Sequence, residues 1–460
     1  MKMTCKAALL CLLIPTLLQG QELGALRMNP DTRESRGEAA LWGGIEQGWF
    51  RPTYAPTLGW SAGARGDIVR HGANTSWEGK VSFEQKTGYN MLSSMFLEPG
   101  YFPVDLLEFT SGTKSRETGR LEAGFLTDLG YEWAAGMKAS FEAAYAGKKT
   151  ALNHTALGVD ARVEPTLSFV MDDDMVLASA VVFRFRTERI TAQQSDGTLF
   201  LDKGLRYGAF QDAAGTFPVQ EIAYGFSEKF FSEDIDAGLE WTWKRGTAGS
   251  TGFGNFHYPG SALSVFYKQT FQADEADHGV RVAYERQRDQ LREGVSDAEG
   301  ITSLSDRQSR GVELGYEVRF LHGAVKSLGL TLDGHRYVER SFTPFYDQTK
   351  RNLGTATLSV AFAFGALDLK IDAFAGGGVW RDRGRYRDET EDTLYRCTTD
   401  WNRLMDYSLA PRAGAGGSLA YRFPGHLFLQ IDGKMFHALR ETAMGGQNRG
   451  IGTLAIGYSF

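Results

Sequence analysis

Between Val312 and Phe320 every second side chain is apolar. Val312, Leu314, Tyr316, Val318 and Phe320 fall on one face, and Glu313, Gly315, Glu317 and Arg319 on the other. A helix would scatter both sets around its circumference, whereas a strand parts them cleanly. The split recurs along the chain. Ile235, Ala237, Leu239, Trp241 and Trp243 oppose Asp236, Glu240 and Lys244. Leu367, Leu369, Ile371 and Ala373 oppose Asp368, Lys370 and Asp372, and Leu177, Val181, Phe183 and Phe185 face away from Arg184 and Arg186.

A soluble β-sandwich alternates too, so the connections have to separate the two folds. Very short links join Leu129 to Tyr131, Met171 to Asp174, Phe231 to Asp234, Phe364 to Leu367 and Phe423 to His426. Between them lie longer polar or glycine-rich segments at 89–116, 147–157, 191–219, 247–258, 293–307, 341–353, 383–404 and 441–448. Tight turns at one end and long loops at the other are the asymmetry of an outer-membrane barrel. The expected fold is all-β: a single transmembrane antiparallel up-and-down β-barrel of about 18 strands, within bounds of roughly 16–18. No apolar stretch after the amino terminus reaches the roughly 20 residues a membrane helix needs, so a closed barrel is the available way into a bilayer.

The ends agree. Lys2 and Lys6 precede the apolar run Ala7 to Leu18, which reads as a secretory signal over residues 1–20. Residues 21–37 are a short charged periplasmic lead-in, and 38–460 are the barrel. Loss of Cys5 and Cys11 with the signal would leave Cys397 alone, read as an incidental exposed thiol. Leu454, Ile456, Tyr458 and Phe460 share one face of the last strand, a pattern suited to recognition by the barrel assembly machinery. The net charge of −6, from 50 basic and 56 acidic residues, carries no basic footprint for nucleic acid.

The segment Met95-Phe-Leu-Glu-Pro-Gly-Tyr-Phe-Pro-Val-Asp-Leu-Leu-Glu-Phe109, with the upstream strand Trp77-Glu-Gly-Lys-Val-Ser-Phe83, resembles an uncharacterised family of outer-membrane barrels from Bacteroides-type bacteria. The resemblance covers the first half of the chain. It implies the barrel fold and brings no activity or catalytic residue with it.

Two constellations are candidates for function. The 89–116 loop holds Met91, Met95, Phe96, Leu97, Tyr101, Phe102, Leu106 and Phe109, too many apolar groups for a loop washed by water. It is expected to pack against the barrel as a constriction or lid, or else as a plug that only stabilises the mouth. The inward faces carry charges of both signs: Glu78, Lys80 and Glu84; Arg184 and Arg186; Glu240; Arg281 and Glu285. Glu313, Glu317 and Arg319, then Asp368, Lys370 and Asp372, continue the set. The mixture suggests a salt-bridged lumen more than an ion-selective ladder, since an isolated charge in a poorly hydrated interior is costly.

Eight scattered histidines, without a nucleophile elbow or a zinc-binding pair, give no enzyme site. No cofactor is expected. The reading that follows is an outer-membrane channel or transporter for a small apolar or amphipathic solute. The alternative is a non-conducting surface barrel serving as adhesin or accessory subunit of an uptake system. Expected partners are outer-membrane lipid and lipopolysaccharide, the assembly machinery, and a surface lipoprotein or transporter. Plugged receptors of about 22 strands fit poorly, because the strands here begin near residue 38.

Overall fold

The computed structural model describes residues 35–130, 132–148, 153–172, 175–250, 252–273, 275–294, 302–343, 346–384 and 395–460. The expected signal peptide lies outside the described residues, as do parts of several connections. The chain forms β1 (Arg36–Gly48), β2 (Leu58–His71), β3 (Thr75–Ser94), β4 (Asp105–Gly130), β5 (Trp133–Lys148) and β6 (His154–Asp172). Next come β7 (Met175–Asp202), β8 (Tyr207–Phe231), β9 (Ile235–Ser250), β10 (Gly254–Ala273), β11 (Ala276–Glu293) and β12 (Thr302–Phe320). They are followed by β13 (Val325–Ser341), β14 (Asp347–Phe364), β15 (Leu367–Gly384) and the two-residue β16 (Tyr395–Arg396). Helix α1 (Thr398–Leu409) precedes β17 (Arg412–Arg422), β18 (Leu427–Ala438) and β19 (Asn448–Ser459).

Of the 19 strands, all but β16 pair antiparallel with their sequence neighbours, and β1 pairs with both β2 and β19. The result is a closed barrel of 18 strands, as the alternation and turn rhythm predict. The seam runs from Glu38↔Ser459 to Gly48↔Arg449, and Phe460 N–H donates to Gly37 carbonyl at 2.8 Å. The first strand starts and the last strand ends at the short-turn end.

The apolar half of each strand points outward, unpartnered by protein. Leu314, Leu330, Leu358, Ile371 and Ile431 are all exposed on the outer wall. Such a surface is tolerable in hydrocarbon and would be a severe liability in water. Aromatic pairs mark the short-turn edge, Trp77 with Phe125 and Trp133 with Phe169. Leu454, Ile456, Tyr458 and Phe460 are exposed on the same outer face at the closing seam.

Several expected loops are strand instead. The 89–116 loop shrinks to 95–104, because β3 continues to Ser94 and β4 starts at Asp105. Most of 191–219 is the β7–β8 hairpin, and 383–404 contains β16 and the start of α1. In the first two the cause is common: strands rise past the apolar band, where both faces are polar or packed and the period-2 signal fades.

Candidate functional site

Above the band the long-loop ends fold inward. Register slips in β3 between Gly88, Met91 and Ser93 bend its top, with Asn90 and Ser93 at positive φ (58° and 74°). Irregularities of this kind re-aim a strand. The β7–β8 hairpin slips between Gln193 and Thr198, and its tip folds over the mouth. There Asp105, Leu106 and Leu107 of β4 pair with Asp202, Leu201 and Phe200 of β7, while Gly208 and Tyr207 of β8 pair with Tyr395 and Arg396 of β16. A small four-stranded sheet, β4-β7-β8-β16, therefore lies across the top, continued by α1.

Under this sheet the 95–104 segment crosses the lumen. Met95, Phe96, Leu97, Phe102, Val104 and Leu106 are buried in one cluster with Phe217, Phe256 and Tyr258 of the inner wall. Tyr258 fits because its ring lies over Gly246, where an added Cβ would meet Cζ at 1.9 Å. Polar contacts fix the far end. Arg307 of β12 donates to the carbonyls of Gly100 and Tyr101 at 2.5 Å and of Phe102 at 3.1 Å. In a ring of 18, β12 stands eight strands from β4, nearly opposite, so the segment spans the lumen. Arg186 pairs with Glu98 at 2.8 Å and lies 3.8 Å from the Tyr101 ring centre. Burial pushes the Tyr101 phenol up, so it stays a donor to Glu221 at 2.7 Å.

One arginine joins the outer elements. Arg206, in the β7–β8 turn, reaches Asp202 at 2.6 Å, Asp400 of α1 at 2.8 Å and Asp105 of β4 at 3.6 Å. Burial works against its charge, but the three carboxylates more than offset that and hold the guanidinium above its ordinary value. Leu205 and Arg206 both take positive φ (53° and 61°), a conformation uncommon for such side chains. Around the knot, Trp401, Met405 and Leu409 of α1 pack on Leu205 and Tyr207, and Tyr207 hydroxyl donates to Asp347 at 3.0 Å.

The expected constriction residues divide. Met95, Phe96, Leu97, Phe102 and Leu106 form the lid core, with Tyr101 packed against it. Met91 stays on the irregular top of β3 and Phe109 is exposed, its ring 6.1 Å from Phe210, so these two lie outside the lid core. Cys397 overturns its expectation: at 4% exposure it is buried with Leu107 and Phe200, on the face of the small sheet opposite the 95–104 segment. A maleimide is therefore expected to leave Cys397 unmodified in the native barrel and to label it fully after denaturation; rapid native labelling would show the lid disengaged.

The inner-wall charges spread around the ring rather than converge. Glu78 meets Lys138 at 3.3 Å, Glu240 meets Arg162 at 2.8 Å, and Arg184 pairs with Asp160. Arg281 pairs with Glu313 at 3.2 Å, Arg319 with Glu317 at 2.8 Å, and Lys370 with Asp372 at 3.3 Å. Asp368 lies 3.2 Å from Arg422. Lys80 and Glu84 share the inward face of β3, and Glu285 stands half-buried near His335. Towards the short-turn end the pairs are well exposed, Arg319 at 61% and Arg422 at 73%, so the lower lumen is a water-lined vestibule. Sequence reasoning missed Arg206 and Arg307, which sit in segments without strand alternation, and it missed α1, which the helical spacing of Trp401, Met405 and Leu409 could have revealed. Among the described residues no cluster suited to a metal ion occurs.

Fold and site together define a membrane-spanning β-barrel whose lumen is crossed near the long-loop end by one of its own connections. No family profile and no curated protein sequence matches the chain. Among solved structures it is similar to the FrpB iron transporter of Neisseria meningitidis, at 8% identity over 95% of this chain and 83% of that one, with a TM-score of 0.45. It is also similar to the ferric-catecholate import receptor Fiu of E. coli K12 (9%, 93% and 82%, TM-score 0.44). The ferric enterobactin receptor PfeA of Pseudomonas aeruginosa is a third (10%, 93% and 80%, TM-score 0.43). Similarity at this level concerns barrel architecture and says nothing about cargo.

Proposed function

We propose that this chain is an outer-membrane transport barrel, closed at rest, that passes a small solute when its lid swings out of the lumen. The observation that carries the reading is the 95–104 segment, which spans from β4 to β12 and is tied there by Arg307. An 18-stranded ring is wide enough for an aqueous channel. Below the lid the inner wall is charged and open to solvent; above it the cover joins the wall through a local apolar core and a few ion pairs. A channel needs the first feature and a gate needs the second. The aromatic side chains of the lid, Phe96, Tyr101 and Phe102, are packed in its core at rest, and uncovering them as it swings out suits an amphipathic solute.

One observation favours a second reading. The lid has a continuous apolar core of its own, which a permanent plug would also need, and a plugged barrel could serve as a surface anchor or accessory subunit. Recordings of the native barrel in planar bilayers test the proposal. Brief openings from a closed baseline are expected, and a trace silent at every voltage the bilayer withstands counts for the plug.

A further inference from the structure

The outer wall of β11–β14 carries a basic groove that the transport reading does not use. Side chains there alternate in and out, and Val282, Val312, Leu314, Leu330, Leu332 and Leu358 are exposed on the outside. One or two outward positions further from the short turns, the apolar run stops and arginines replace it. Arg286 of β11 lies directly opposite Arg310 of β12, which lies directly opposite Arg336 of β13. The next outward row runs Arg288, Gln308, Val338 and Lys350. Gln308, Arg310, Arg336, Val338, Arg340 and Lys350 line an open groove of about 140 Å³.

This arrangement is unfavourable as it stands. Side chains directly opposite on neighbouring strands sit about 5 Å apart, where like charges destabilise the sheet. Asp306 offers the groove a carboxylate, but it is engaged by Arg288 at 3.0 Å and Arg340 at 2.7 Å. Arg286, Arg310 and Arg336 make no ion pair among the described residues. An anion with several oxygens, lying across the row, would supply what the protein withholds.

Height decides what kind of anion. About 9–11 residues of tilted strand cross the hydrocarbon core. Arg310 is ten residues from Phe320 at the short-turn end of β12, so it stands where hydrocarbon gives way to headgroups. The groove opens sideways onto that layer, with the leucines of the band directly beneath. Acyl chains fit along that wall while the headgroup reaches the arginines. We infer that Arg286, Arg310, Arg336 and Lys350 form a binding site for the phosphate of a lipid headgroup in the outer leaflet. The inference rests on the membrane-barrel fold and stands whether or not the lumen conducts.

The test uses the full chain in neutral detergent, titrated with a diphosphorylated glucosamine-disaccharide lipid, its dephosphorylated form, and inorganic phosphate. Saturable binding of the phosphorylated lipid is expected, with the other two at least about tenfold weaker. R310Q/R336Q is expected to weaken lipid binding by about tenfold or more, while the heat-modifiable gel shift reports an intact barrel. Should that variant fail to fold, the native protein decides by salt, since binding to these arginines must weaken as ionic strength rises. Equal binding of the dephosphorylated lipid, equal binding of free phosphate, an unaffected R310Q/R336Q, or salt-independent binding would each overturn the site.

Discussion

Replacing residues 96–103 by a short glycine–serine bridge is expected to turn a closed barrel into one that conducts for most of a planar-bilayer record. The segment is the part of the lid that reaches across the lumen, and the sheet above it rests on its apolar side chains through Leu106, Leu199 and Leu201, so that cover loses its support with it. Its loss removes Phe96, Leu97 and Phe102 from the buried cluster and takes from Arg307 the three carbonyls it holds. It also frees Arg186 from Glu98 and Glu221 from Tyr101. Those side chains then face water in the lumen, which stabilises the open state. A shift from closed to mostly open requires several kcal/mol, about 5.5 for a swing from 1:99 to 99:1. Buried apolar side chains contribute about 1.5–3 kcal/mol each, so losing three is of the right size. The strands of the wall are untouched, and the folded gel band should persist. Silence from this variant, with the fold intact, would remove the gated-channel reading and leave the plug.

The wall was legible because lipid and lumen impose opposite demands on successive residues. Val312 to Phe320 could not alternate as they do in a helix, and the outward side chains prove to be the apolar set. Strand number followed from the turns, since tight links such as Phe364 to Leu367 permit only antiparallel neighbours. The inward placement of Arg184, Glu240, Arg281 and Glu313 was legible for the same reason, and so was the packing of the 95–104 aromatics. What lay beyond reach was the upper storey. There β7 and β8 are packed on both faces, so Leu199, Phe200 and Leu201 read as a loop with apolar intrusions rather than as strand. Helix α1 does carry Trp401, Met405 and Leu409 on one face at helical spacing, a trace that a search for alternating strands passes over, while its docking depends on Asp400 meeting Arg206. Contacts between residues so far apart leave no periodic trace. Cys397 was misjudged on the same ground: the sheet that covers it is built from β4, β7 and β8.

The R206M variant is expected to loosen the lid without loosening the barrel. Among the described residues Arg206 is the one cation paired with Asp105, Asp202 and Asp400 in a buried knot, where Asp400 also accepts from Thr53 of the β1–β2 connection at 3.4 Å. Removing one partner of a buried ion pair typically costs about 3–5 kcal/mol, because the charges left behind are neither hydrated nor neutralised. Here three carboxylates would be stranded together, and the turn would lose what holds Leu205 and Arg206 in their left-handed conformation. The cheapest relief is for the hairpin tip and α1 to swing out into water, since their hold on the wall is local. Cys397 should then label with maleimide in the native state, and proteases should cut within the 203–206 turn, while the heat-modifiable band stays unchanged. The quadruple variant R206M/D105N/D202N/D400N separates charge from packing. With the carboxylates neutralised the stranded charge is gone, so labelling should fall back towards the native level. If R206M keeps Cys397 as protected as the native chain, the knot does not hold the lid, and closure must rest on the apolar cluster around Phe96 and Phe102 instead.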